Sequence, residues 1–239
     1  MEHGALRHLS RTIRQRAILR KHSTNTSSSL DNKEVEKFRE LSSQWADEFG
    51  PFKALHSLNQ LRVPWILQNI GENKEIHILD MGSGGGLLSV PLARAGLRVT
   101  GLDATEKAVA AAREVLMSPP LKVSGVSERI SYHVGTVEEF AEENENAFDA
   151  VVASEILEHV ADLNSFVSAC ARLAKPNAHL FFTTINKTVL SWITAVWLAE
   201  NVLGIVPPGV HDWEKFVKPD HLARILKDND CSIRLSFVF

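Results

Sequence analysis

The hydrophobic period of the chain changes near residue 76. Before that point Val35, Phe38, Leu41, Ser42 and Trp45 recur at spacings of three and four between acids and lysines, and Leu58 to Ile70, interrupted by Pro64, continues the helical period. After it, short apolar runs take over. Ile76 to Asp80, Arg98 to Asp103, Ile130 to Val134, Phe148 to Ala153 and Ala178 to Ile185 read as strands. Between them Leu87 to Ala95, the alanine-rich Glu106 to Leu116, and Asp162 to Ala174 read as helices. Strands alternating with helices at this distance predict parallel βαβ units, hence an α/β fold: a doubly wound, mostly parallel sheet with helices on both faces. The alternation stops beyond Asn186. There TVLSWITAVWLAENVLGIV, residues 188–206, is mostly apolar with Glu200 as its only charge and closes at Pro207-Pro208-Gly209. An interfacial helix or lid over an apolar pocket suits it better than a membrane span, and a core helix has the same composition.

A chain of 239 residues with 44% apolar side chains can bury a sizeable core. Cys170 and Cys231 lie far apart and lack metal-ligand spacing, which points to a reducing compartment. The net charge of -3 conceals an asymmetry: the first 30 residues hold Arg7, Arg11, Arg14, Arg16, Arg20 and Lys21 against Glu2 alone. The body is therefore net acidic, which argues against nucleic acid as a partner. Within the basic leader Leu6, Leu9, Ile13 and Ala17 recur at helical spacing and STNTSSS follows, the composition of a mitochondrial transit peptide. A secretory signal would need an apolar stretch that the leader lacks. The organisation expected is a leader at 1–30, N-terminal helices at 31–75, and a cofactor-binding domain at 76–239 with an apolar insert at about 187–210.

In LDMGSGGG a strand ends at Asp80 and opens onto Gly82-Ser83-Gly84-Gly85-Gly86 before a helix. Glycine allows a sharp turn and close approach of a ligand, and the helix N-terminus offers unpaired N–H groups. A nucleotide-like ligand follows. The dinucleotide fingerprint needs glycine where Leu87 stands, and no Gly-Lys-Ser/Thr marks a Walker loop. Asp103, at the tip of the second strand, is placed to accept both hydroxyls of a ribose, although acids also cap helices.

A second motif is ASEILEHV, residues 153–160. If it is helical, Glu155, Glu158 and His159 share one face at spacings of three and four. Such a face can hold a divalent ion, can use His159 as a general base oriented by Glu155 or Glu158, or can simply be solvated.

Together these features resemble the ubiquinone-biosynthesis O-methyltransferases, within the class I S-adenosylmethionine-dependent methyltransferases. D-x-G-x-G-x-G with Asp103 resembles their first motif, and the likeness runs from about Glu34 to Arg224. FRELSSQWADEFGPFKALHSLNQLRVPWI (38–66), SEILEHVAD (154–162) and INKTVLSWITAVWLAENVLGIVPPGVHDWEKFVKPDHL (185–222) carry its most specific parts. The resemblance implies S-adenosylmethionine as cofactor, contacted at Arg62, Gly82, Asp103 and Ser154, with Asp80 and Gly84 in the same motif. It also implies a magnesium ion held by Glu155, Glu158 and His159 beside the acceptor. Arg62 would pair with the methionine carboxylate; taken alone it is an ordinary surface arginine, and Ser154 an ordinary capping serine.

A catechol hydroxyl is mostly protonated near neutral pH, and a chelated cation would lower its pKa and fix its orientation. Physical chemistry leaves the metal open; the resemblance favours magnesium. The implied acceptors are polyprenylated catechols. Their isoprenoid tails suit the tryptophan-bearing segment as a surface docked on the matrix side of the mitochondrial inner membrane, beside other ubiquinone-synthesis proteins.

Two departures stand out. Ser83 occupies a position where the family usually has cysteine, and the chain stops at SIRLSFVF where members continue into a last antiparallel strand. The expectation is a C-terminally truncated member with an unpaired edge. Two other readings are a non-catalytic scaffold subunit with this fold and a methyltransferase for another acceptor, such as a C-methylating quinone enzyme. Glu155 ahead of Leu157-Glu158-His159-Val160 favours O-methylation.

Overall fold

The computed structural model describes residues 29–31, 50, 52–71, 75–184 and 217–234. The leader up to residue 28, the helical stretch from Val35 to Trp45, the apolar insert and residues 235–239 of the expected last strand lie outside them.

Five parallel strands form one sheet: β1 (His77–Met81), β2 (Arg98–Asp103), β3 (Ile130–Val134), β4 (Phe148–Ser154) and β5 (Ala174–Thr183). Their spatial order is β3-β2-β1-β4-β5, so the winding reverses between β1 and β4. At that switch point Asp80 stands level with Gly101 on one side and Val152 on the other. Ligands bind outside the carboxyl ends of strands at such a reversal.

Period-two alternation sends neighbouring residues to opposite faces, and both faces are covered. Ile78 and Val99 join Ile66, Leu92 and Val109 in one core; Leu79 and Val151 join Phe166, Val167 and Leu173 in the other. Each such side chain, removed from water, contributes about 1.5–3 kcal/mol.

The helices are α1 (Lys53–Ile70), α2 (Ser89–Arg94), α3 (Glu106–Leu116), α4 (Pro119–Val123), α5 (Val137–Glu143), α6 (Leu163–Leu173) and α7 (Pro219–Asp228). α1 runs unbroken through Pro64, which is exposed, so water can serve the Gln60 carbonyl that the imino acid cannot. α2 starts two residues later than the sequence predicts, because Gly86 at φ 84° prolongs the preceding turn. β5 starts earlier, at Ala174. Its register against β4 jumps from Ala174 to His179, and Asn177 takes φ 64°, so the irregular Lys175–Asn177 hides the strand's first half from a pattern reading. α5 is missed by periodicity but announced by a capping box, in which Thr136 Oγ1 accepts from Glu139 N at 3.2 Å. Among the described residues no helix is long and apolar enough to cross a membrane, and both cysteines are free.

Candidate active site

The turn after β1 is pinned to the end of β2. Gly82 N and Ser83 N both donate to Leu102 O, at 2.8 and 3.1 Å, and Gly84 N donates to Asp103 Oδ2 at 2.9 Å. Gly82 and Gly84 take φ 69° and 51°, the left-handed region that other residues avoid. Space is equally tight: a Cβ on Gly82 would lie 2.2 Å from Ile156 Cδ1, and one on Gly86 would lie 2.2 Å from the Tyr132 hydroxyl. Ser83 Oγ is buried without a hydrogen-bond partner among the described residues, so a thiol would fit there at no polar cost.

Asp103 Oδ1 also accepts from Thr105 N, at 2.8 Å. Each carboxylate oxygen thus takes one amide and keeps acceptor capacity for a hydroxyl, which fits the ribose role. Burial raises its pKa, and the two amide bonds oppose the rise. Asp80 is 3% exposed and accepts from Ser89 Oγ at 2.5 Å. Burial pushes its carboxyl up to about 6, held back by the Ser89 bond and by Arg62. Asp80 therefore braces the base of the turn.

Arg62 reaches this edge from α1. It is 4% exposed, and burial lowers its pKa against the opposing pull of Asp80 and Glu155. Its Nε donates to Asn59 Oδ1 and its Nη1 to Ser154 Oγ, both at 2.7 Å. Asn59 in turn donates to Leu87 O at 2.8 Å, tying the helix to the glycine turn. A guanidinium has five N–H donors, so these two bonds leave a face for a ligand carboxylate. Arg62, Asp103 and Ser154, distant in sequence, meet the Asp80–Gly84 turn at the carboxyl end of the sheet.

The ASEILEHV segment departs from expectation. Glu155 lies in the left-handed region at φ 53°, and only Leu157–His159 coils, as a single 3₁₀ turn. The expected helical face is therefore absent, because a left-handed residue breaks the helical path between Ser154 and the turn. Strain of this kind is held only by surrounding structure. Glu155 N donates to Thr183 O at 2.9 Å. Desolvation raises the Glu155 pKa, opposed by Thr183 and Arg62. Glu158, 5% exposed, accepts from Thr184 Oγ1 at 2.8 Å.

The donors assigned to magnesium do not converge: no cluster of three His, Cys, Asp or Glu side chains able to hold a metal exists among the described residues. Glu158 is engaged by Thr184.

Asn59, Thr183 and Thr184 belong to the site and escaped the sequence reading. Asn59 was recoverable as the residue one helical turn before Arg62, and the threonines as the carboxyl end of β5. A further contact comes from the N-terminal side. Ala161 N donates to Ser29 O at 2.7 Å, Leu30 bridges Val160, and Ser29 N donates to Glu138 Oε1 at 3.1 Å, so this short segment braces the far side of the turn.

Solved structures share the architecture. The magnesium protoporphyrin IX methyltransferase of Synechocystis superposes with a TM-score of 0.57 at 19% identity, over 82% of this chain and 88% of that one. A family model described as a methyltransferase domain matches residues 79–182. The fold is that of the Rossmann-like class I methyltransferases. Sequence then narrows the class. The ubiquinone biosynthesis O-methyltransferase of Aromatoleum aromaticum is 42% identical over 194 residues, covering 81% of this chain and 80% of that protein. The mitochondrial one of Rattus norvegicus is 42% identical over 219 residues, covering 87% of this chain and 62% of its own length. The chain spans about three-fifths of that mammalian relative and belongs to the ubiquinone biosynthesis O-methyltransferase family.

Proposed function

We propose that this chain transfers the methyl group of S-adenosylmethionine to a hydroxyl of a polyprenylated catechol in ubiquinone synthesis, on polyprenyl-dihydroxybenzoate and on demethylubiquinol. One observation carries the reading: the buried Arg62 joins the glycine turn, through Asn59, to Ser154 at the end of β4. Arg62 would hold the methionine carboxylate, Asp103 the ribose hydroxyls, and Gly82 and Gly84 the close backbone approach. The bound cofactor supplies an electrophilic methyl group. The acceptor hydroxyl must lose its proton as it attacks. Glu155, Glu158 and His159 are the acid–base groups beside the end of β4, with His159 proposed to take that proton and Glu155 or Glu158 to orient the imidazole.

The magnesium ion implied by the family is a separate proposal. It would have to draw Glu158 from Thr184, and no step here depends on it. A magnesium titration followed by tryptophan fluorescence tests it; an unchanged signal rejects binding. By the names of its mammalian relatives the chain is proposed to work in the mitochondrion, on the matrix side of the inner membrane. There the apolar insert would face lipid and neighbouring synthesis proteins. Incubation with S-adenosylmethionine and a short-chain prenylated dihydroxybenzoate tests the activity. A methyl ether supports the reading; cofactor binding without transfer favours a scaffold, and a C-methyl product favours another acceptor class.

A further inference from the structure

We propose that Thr183, at the carboxyl end of β5, is a positioning residue that couples the cofactor half of the site to the acceptor half. The inference rests on the methyl-transfer reading above. Arg62 Nη1 donates to Ser154 Oγ at 2.7 Å, and Ser154 Oγ lies 2.5 Å from Thr183 Oγ1, so the hydroxyls at the ends of β4 and β5 are bonded to each other beside the guanidinium. The backbone of Thr183 carries the link onward, since Thr183 O accepts from Glu155 N at 2.9 Å and so holds the left-handed Glu155 in place. A ligand that fixes Arg62 therefore fixes Ser154, Thr183 and Glu155 in turn, and hydrogen bonds in series polarise one another. Thr184, the next residue, serves Glu158 and stands outside the chain.

The test is calorimetric titration of a short-chain prenylated dihydroxybenzoate with and without saturating S-adenosylhomocysteine, on the full chain and on Thr183→Val, Thr183→Ser and Thr184→Val. Coupling of about fivefold or more is expected in the unsubstituted protein, falling below about twofold in Thr183→Val. Thr183→Ser, which restores the hydroxyl, and Thr184→Val should both keep it. Circular dichroism establishes that each variant is folded; should Thr183→Val fail to fold, Ser154→Ala breaks the same chain one link earlier and should abolish the coupling. No coupling in the unsubstituted protein, or equal coupling in a folded Thr183→Val, overturns the inference. Methyl transfer measured on the same variants with S-adenosylmethionine in place of S-adenosylhomocysteine separates the two claims: coupling without transfer sinks the activity, and transfer without coupling sinks the role of Thr183.

Discussion

Both ends of the sheet carry charged side chains, under opposite conditions. At the carboxyl end Arg62, Asp80 and Glu158 are each about 95% or more buried. At the amino end Lys175 Nζ meets Asp149 Oδ1 at 2.6 Å with 44% and 32% of the side chains exposed, and Arg98 donates to His77 Nδ1 at 2.9 Å in the open. The same strand, β1, begins at one end and finishes at the other, and burial pushes its two titratable groups towards their neutral forms. His77 falls to about 4, through desolvation and then Arg98, while Asp80 rises to about 6. The difference lies in what the charges can still do. At the amino end solvent screens the Lys175–Asp149 pair, and its geometry is of little consequence. At the carboxyl end each charge is held by named donors and acceptors in a dry setting, so displacing one disturbs the rest.

The contrast predicts a ranked set of effects. Arg62→Met leaves Asp80 and Glu155 without their buried counter-charge. It should cost about 3 kcal/mol in urea unfolding and weaken S-adenosylhomocysteine binding about 100-fold. Gly86→Ala drives a methyl group against the Tyr132 hydroxyl at a residue already at φ 84°. A loss of about 2 kcal/mol is expected, part of which Tyr132→Phe should restore, because the next atom, Cζ, lies 3.1 Å from the added carbon.

Acid stability separates the two ends by sign. His77 binds its proton more weakly in the folded chain than at the ordinary 6.5, so stability is lost as pH falls from 6.5 towards 4. Asp80 binds its proton more tightly than at the ordinary 3.8, so stability is gained as pH falls through about 6 towards 3.8. Over pH 6.5 to 4, His77→Gln should lose less stability on acidification than the unsubstituted chain, and Asp80→Asn should lose more; thermal unfolding across that window measures both. The smallest effect belongs to the solvated end: Lys175→Gln should change stability by no more than about 0.5 kcal/mol. A cost matching that of Arg62→Met would erase the distinction between the two ends.

The parts of this molecule readable from sequence are those governed by local periodicity. β2, α3 and β3 fall where the pattern put them, since each is a regular element bounded by polar or glycine residues. β5 was half hidden because Lys175-Pro176-Asn177 interrupts its register. The glycine turn and its strand-end acids were legible because such residues have fixed places in a βαβ unit. The surroundings of Glu155 were not. Their geometry depends on Glu155 leaving the helical region and on Thr183 at the end of β5, twenty-eight residues further along, and no spacing rule carries that information.

The central claim is that the two halves make one methyl-transfer site, and its most direct measurement is the fate of a labelled methyl group. Incubation of the chain with S-[methyl-³H]adenosylmethionine and a short-chain prenylated dihydroxybenzoate, followed by mass spectrometry of the product, should give a single methyl ether and one S-adenosylhomocysteine for each ether formed. Cofactor binding with no label in the acceptor, or label on ring carbon, would contradict it.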